Sequence, residues 1–225
     1  RSQGDTDHNV LGLTEGADFL RPHRPPLTDF WAEFPASEVL TIPHATAAVP
    51  GQRFCGDVWT KRDDEKRPIA EIYQAFRDVS SMNELQERAL LTGQKLGFIA
   101  SSDHLATSSA YACVWNPGAA NEPGSRESLF HSLQSRRCYG ATAKIELKVT
   151  ATPSEDRSRA YWMGEDLPDA PGYRIEATGR GPAPIERLEY WSGGELLHAT
   201  RPEPDTLFGD EFTWVPPAGL QRYLF

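Results

Sequence analysis

The sequence predicts an α/β chain that ends in an antiparallel, sandwich-like β-rich module. Three observations carry that expectation. Short apolar runs at Val39–Ile42, Ile69–Gln74 and Leu96–Ala100 recur at the spacing of strand–helix units. Helix signals fall between or after them, at Ser81 and Ser125. From Lys144 onward the apolar period changes to two, as in Ile145-Glu146-Leu147-Lys148-Val149 and Tyr173-Arg174-Ile175-Glu176-Ala177. The change places one unit at residues 1–143 and a second at 144–225.

Residues 1–38 read as irregular, with Arg21–Pro26 an extended, breaker-rich crossing. Thr28 or Asp29 is placed to cap a short helix through Phe34. The strand Val39–Ile42 stops at Pro43, which fixes φ, and delivers His44 at its end. Residues 47–68 form a polar loop whose run Lys61–Arg67 is of mixed sign and reads as a solvated face. Ile69–Gln74 is an apolar strand with Glu71 inside it, and a buried carboxylate there needs a partner.

Ser81-Met82-Asn83-Glu84 fits a capping box for a helix carrying Leu85, Ala89 and Leu90 and stopping near Gly93. The strand after it runs Leu96-Gly97-Phe98-Ile99-Ala100-Ser101 and leads into Ser102-Asp103-His104. An acid and an imidazole at a strand end are the oxygen and nitrogen donors that a hard or borderline cation needs. Tyr111–Trp115 reads as another strand, and Ser125 caps a helix over Arg126–Arg137. Arg136 and Arg137 then form a basic last turn suited to the helix dipole, or a clamp for a phosphate or carboxylate. In the second unit, Ile185–Trp191 and Glu195–Thr200 flank Ser192-Gly193-Gly194, a hairpin signal. Phe212–Val215 and Leu220–Phe225 add two strands, and His198 alternates outward as a surface residue.

Composition excludes several classes. The 225 residues carry a formal charge of −9, which disfavours nonspecific binding to nucleic acid. A phosphorylated small molecule is still admissible, because a bound cation reverses the local sign. No run approaches the ~18 apolar residues of a membrane span. Cys55, Cys113 and Cys138 are odd in number and lack a Cys-x-x-Cys spacing, so they read as buried or free thiols. There is no Gly-x-Gly-x-x-Gly, no P-loop and no Gly-x-Ser-x-Gly elbow. His8 lies beside Asp5 and Asp7, close enough in sequence to join a cation site, whereas His23 reads as a loop residue.

Four segments occur in an order that resembles a known family: Thr41–Thr46 (TIPHAT), Ile69–Gln74 (IAEIYQ), Leu96–His104 (LGFIASSDH) and Arg126–Ala143 (RESLFHSLQSRRCYGATA). Together with Met163-Gly164-Glu165 they resemble the C-terminal half of the DUF3604 proteins, over roughly residues 39–165. That family is related to the PHP superfamily (polymerase and histidinol phosphatase domain) of metal-dependent, phosphoesterase-like β/α barrels. The resemblance implies that residues 1–143 are part of a distorted PHP-type barrel. It also implies a site for divalent metal ions, Zn, Mn or Fe, and leans towards a bacterial exported or periplasmic location. Three departures stand beside it. No His-x-His occurs in the chain, His104 follows Asp103 directly, and the stretch from Tyr73 to Leu96 is short for the family.

The function expected is hydrolysis of a phosphoester or related ester by metal-activated water. His44, Glu71, Asp103, His104 and His8 are the candidate metal ligands. Asp103, His104 and Arg137 are the candidate catalytic residues, acting on a small-molecule substrate. The chain starts at Arg1 and stops in the strand-like Tyr223-Leu224-Phe225, so an N-terminal half or partner chain is expected to complete the site. The alternative is a non-catalytic binding or structural subunit with an incomplete PHP-like metal site.

Overall fold

The computed structural model describes residues 8–14, 26–43, 61–75, 79–80, 89–102, 109–116, 124–217 and 223–224. Strand β1 (His8–Gly12) pairs antiparallel with β2 (Val39–Pro43), with His8 opposite Pro43 and Gly12 opposite Val39. All five residues of β2 are buried. Its one polar side chain is satisfied: Thr41 Oγ1 donates to the Lys66 carbonyl at 3.0 Å and accepts from Trp31 Nε1 at 3.1 Å. Trp31 and Leu27 are the buried face of helix α1 (Leu27–Glu33). The expected cap at Thr28 or Asp29 is not used. Pro26 holds the N-cap position without a side-chain bond, and Asp29 falls in the first turn, where its charge favours the dipole.

Strand β3 (Ile69–Gln74) runs parallel to β5 (Gly97–Ser101) and antiparallel to the short β4 (Val79–Ser80). The capping box at Ser81 lies outside the described residues. A single 3-10 turn follows at Leu90–Thr92, and Gly93 ends it at φ 80° with its amide on the Leu90 carbonyl. The expected stop is therefore at the expected glycine. Strand β6 (Tyr111–Val114) pairs antiparallel with β7 (Cys138–Ala141), and helix α2 (Arg126–Gln134) lies between them in sequence. Ser125 caps α2 by accepting from the Ser128 amide at 3.1 Å. Ile42, Ile69, Ile99 and Cys138 form one buried cluster, with Val114 and Leu133 against it. Burial pushes the Cys138 thiol up to about 12, so it behaves as a small apolar group.

Helix α2 is shorter than its periodicity suggests. It ends at Gln134 because Arg136 adopts φ 61°. The Arg136 amide then bonds the Leu133 carbonyl and the Arg137 amide the Ser132 carbonyl, a paired closure that normally recruits glycine. The two arginines leave the helix axis and do not serve its dipole. The charged run before β3 also differs from a solvated face. Arg67 is 1% exposed, lies over the Trp31 ring at 5.5 Å, and donates to the Lys61 carbonyl and to Gln94 Oε1. Burial lowers it to about 10, against the pull of Asp64 and Asp63.

Beyond residue 144 the chain is antiparallel. Strands β8 (Glu146–Pro153), β9 (Tyr161–Trp162), β10 (Tyr173–Arg180) and β13 (Leu207–Trp214) form a sheet in the order β13-β10-β8-β9. Strands β11 (Leu188–Ser192) and β12 (Glu195–Thr200) form the expected hairpin. Gly193 and Gly194, at φ 58° and 86°, supply the two left-handed positions its turn needs. Tyr190 of the hairpin packs on Phe212 of the sheet at 4.5 Å, inside a core of Ala151, Tyr173, Ile175, Ala177 and Trp214. Most of the strand expected at Leu220–Phe225 lies outside the described residues.

The β-rich module is thus present. The barrel expected for residues 1–143 is not displayed: the described residues hold two α-helices and five separate sheets, none of them closed. A Cβ at Gly140 would fall 2.7 Å from the Ala100 amide nitrogen and 2.9 Å from the Ile99 carbonyl carbon, so β7 rests directly on the β5 backbone. We expect Gly140→Ala to destabilise the chain by about 2–4 kcal/mol through backbone displacement, read as a lower urea midpoint at unchanged slope. A shift under about 0.5 kcal/mol would contradict this packing.

Candidate functional site

The parallel β3–β5 pair brings two chemistry-bearing segments to one edge. Glu71 lies opposite Ile99 in register, and Gln74 lies opposite Ser101. The Glu71 side chain is 1% exposed, and Ser101 Oγ donates to its Oε2 at 3.0 Å. A register irregularity between Glu71 and Tyr73 sits at this point of the ladder. The Ala75 amide continues the edge by donating to the Ser101 carbonyl at 2.9 Å. A carboxylate is retained at such depth where hydrogen bonds or a metal compensate its desolvation.

Among the candidate ligands, Glu71 and His8 are described, and His44, Asp103 and His104 lie outside the described residues. The chain is described up to Pro43, just before His44, and up to Ser102, just before Asp103. Pro43, next to His44, is paired with His8 at the open end of the β1–β2 ladder. Ser101, two residues before Asp103, is the residue bonded to Glu71. Among the described residues no three His, Cys, Asp or Glu side chains gather as a metal-binding group.

Arg137 is placed elsewhere. A Cβ at Gly97, the first residue of β5, would lie 3.1 Å from the Arg136 Cα and 3.0 Å from the Cys138 Sγ. The start of β7 therefore sits beside the start of β5, about 13 Å from Ser101 at ~3.3 Å of rise per residue. Arg137 is not brought to the edge that holds Glu71. Its Nη2 donates to Glu165 Oε1 at 2.9 Å, and Arg159 Nη2 donates to Glu165 Oε2 at 3.1 Å. The Trp162 amide also donates to Oε2, at 3.1 Å. Arg136 turns to the same segment, bonding the Gly164 carbonyl and Asp166.

Arg137, Arg159 and Glu165 line a cavity of about 330 Å³ with Trp115, Asn116, Ala160 and Trp162. The sequence reading missed it. Its advance signals were Arg137, read with Arg136 as a helix-dipole turn or an anion clamp, and Met163-Gly164-Glu165, which carried no assigned role. A second feature also escaped that reading. His198 is not on the open surface: it stacks on Phe212 at 4.7 Å and its Nε2 lies 3.1 Å from Asp210 Oδ2.

Comparisons with protein-family models, with curated proteins and with solved structures return no match. No helix among the described residues is long and apolar enough to cross a membrane.

Glu165 supports a pH prediction. Burial raises its pKa, but the Trp162 amide and the guanidiniums of Arg137 and Arg159 outweigh that and hold it below the usual carboxylate range. A lowered folded value means that its contribution is fully present above the unfolded value of about 4.3 and is lost as pH falls through the folded one. Glu165→Gln should therefore cost stability at pH 7 and flatten the acid limb of a urea-midpoint profile below about pH 4. An acid limb identical to that of the unsubstituted chain would contradict the assignment.

Proposed function

We propose that this chain is the C-terminal portion of a metal-dependent hydrolase that cleaves phosphoester or related ester bonds. The observation that carries the reading is Glu71. It is a fully buried carboxylate on a parallel strand pair, oriented by Ser101, at the edge from which the chain continues to Asp103 and His104. Ligands at the ends of parallel strands are where such sheets concentrate their chemistry.

The donor set fits a divalent ion. Two carboxylates and three imidazoles, from His8, His44, Glu71, Asp103 and His104, are oxygen and nitrogen ligands suited to Zn, Mn or Fe. A bound ion of that kind would supply hydroxide near neutral pH. Glu71 would anchor the site from below, with its orientation set by the Ser101 hydroxyl. His8 would approach from the β1–β2 ladder beside His44. Asp103 and His104 would hold and move the substrate proton at the rim. Arg137 is left out of this centre, because its backbone lies at the other end of β5.

The same reading takes residues 1–143 as part of a PHP-type barrel and the parallel β3–β5 pair as one piece of its wall. It places the protein outside the bacterial cytoplasm, with an N-terminal half or a partner chain completing the ligand set.

Elemental analysis of the purified full chain after incubation with Zn, Mn or Fe tests the proposal. We expect close to one bound ion or more per chain, lost when Asp103→Ala and His104→Ala are combined. Glu71→Gln should weaken binding about tenfold or more, the scale at which a removed ligand or its support acts. A folded chain that retains no metal under these conditions would overturn the hydrolase reading and leave a non-catalytic binding subunit.

A further inference from the structure

The cavity between β6, the start of β7 and the 159–165 arm is built from the same few residues that join the two units. One wall is the packed indole pair of Trp115 and Trp162, with ring centroids 5.4 Å apart and planes at 56°. Both rings are fixed. Trp115 Nε1 donates to the Leu147 carbonyl, and Lys148 Nζ lies 4.6 Å from the Trp162 centroid. Asn116 lies in the lining too, with its Nδ2 on Ser128 Oγ at 2.7 Å.

Part of the lining is charged. Arg137 and Arg159 share Glu165, so these three groups carry one net positive charge on a chain whose total is −9. Arg137 donates to Glu165 through Nη2, and its Nε is buried without a hydrogen-bond partner among the described residues. The Arg137 side chain is 28% exposed, so its outer N–H groups, rather than the shielded Nε, are the donors open to an acceptor in the cavity. Arg159 is 60% exposed at the mouth and has N–H groups to spare beyond its bond to Glu165. Paired guanidiniums favour the planar oxygens of a carboxylate or phosphate. Indole faces favour the apolar face of a ring. The volume is at the small end of ligand pockets, room for one ring rather than a chain of them.

We infer that this cavity is a second ligand site that takes a monocyclic acid: one ring with an apolar face, carrying a carboxylate or phosphate. The ring lies against Trp115 and Trp162, and its anionic group meets the free N–H groups of Arg137 and Arg159. Glu165 holds both guanidiniums in place and rejects a second anionic group by repulsion. The site is independent of the proposed metal centre, since it lies at the opposite end of β5. The free acid and the terminal unit of an acidic polymer share this chemistry.

Isothermal titration of the full chain tests it, using benzoate, glucuronate and phenyl phosphate, with benzyl alcohol and glucose as neutral counterparts. We expect saturable one-to-one binding of at least one acid, about tenfold or more tighter than its neutral counterpart and weakened by salt. Arg159→Gln, an exposed change with little risk to folding, should weaken it about fivefold, and Arg137→Gln should abolish it. Binding should persist in EDTA and in the chain carrying Asp103→Ala and His104→Ala, which separates this site from the metal proposal. A tetramer of glucuronate binding tighter than the monomer would identify a polymer end as the source. No saturable acid binding, equal binding of the neutral probes, or no effect of Arg159→Gln would each overturn the assignment.

Discussion

The arrangement depends on two glycine contacts between β5 and β7. Gly140 lies on the backbone of Ile99 and Ala100, and Gly97 lies against Arg136 and Cys138. Each contact puts one strand where the other strand's side chain would have been. With one contact near each end of β5, the two backbones run side by side in the same direction. That fixes the edges. Ser101 and Glu71 stay at the C-terminal edge of β5, and the two arginines stay at its N-terminal edge. A larger residue at either glycine would separate the strands and move both edges at once.

The end of α2 decides where the arginines point. An ordinary helix exit would have left Arg136 and Arg137 on the surface. The left-handed Arg136 turns the chain sharply, and Gly164 closes on it so tightly that a Cβ there would sit 2.4 Å from the Arg136 carbonyl oxygen. A non-glycine residue in this region costs on the order of 1 kcal/mol, which the bonds of Arg136 to Gly164 and Asp166 offset. Tyr139 adds a second tie, donating to the Ile145 carbonyl at 2.7 Å and accepting from the Leu147 amide at 3.0 Å. The junction near residue 144 is therefore held by polar contacts from β7 and the turn before it, although among the described residues no sheet crosses it.

Local signals were legible wherever local physics decides. The alternation from Lys144, the Ser192-Gly193-Gly194 turn, the Ser125 cap and the Gly93 stop all depend on residues within a few positions of one another. Burial of Arg67 was not legible, because the charged residues around it mark a surface and Trp31 and Gln94 are distant in sequence. The left-handed Arg136 was hidden for a similar reason. Its motif prefers glycine, and only the later Gly164 shows why an arginine is tolerated. For the candidate site, sequence singled out Glu71 but not its donor Ser101, and singled out Arg137 but not its partner Glu165. His198 was read from alternation alone, which tells the side of a strand but not whether Phe212 and Asp210 cover that side.

Arg137 shows why spacing along a chain is a poor guide to which groups share a site. In sequence it follows Asp103 and His104 by one strand and one helix, and an arginine in that position reads naturally as a clamp for a metal-bound phosphate. In space, its backbone lies beside Gly97 at the start of β5, away from Ser101 at the other end of that strand. A guanidinium whose carboxylate partner is 14% exposed is also not free to swing. Its bond to Glu165 would have to break, leaving a partly buried carboxylate with one fewer donor. The same ion pair that withholds Arg137 from the strand edge orients it into the tryptophan-walled cavity. Anion recognition and the proposed metal chemistry are thus assigned to opposite ends of one short strand. Coupling between them would have to pass through β5 itself, whose five residues are clamped by Gly140 and Gly97.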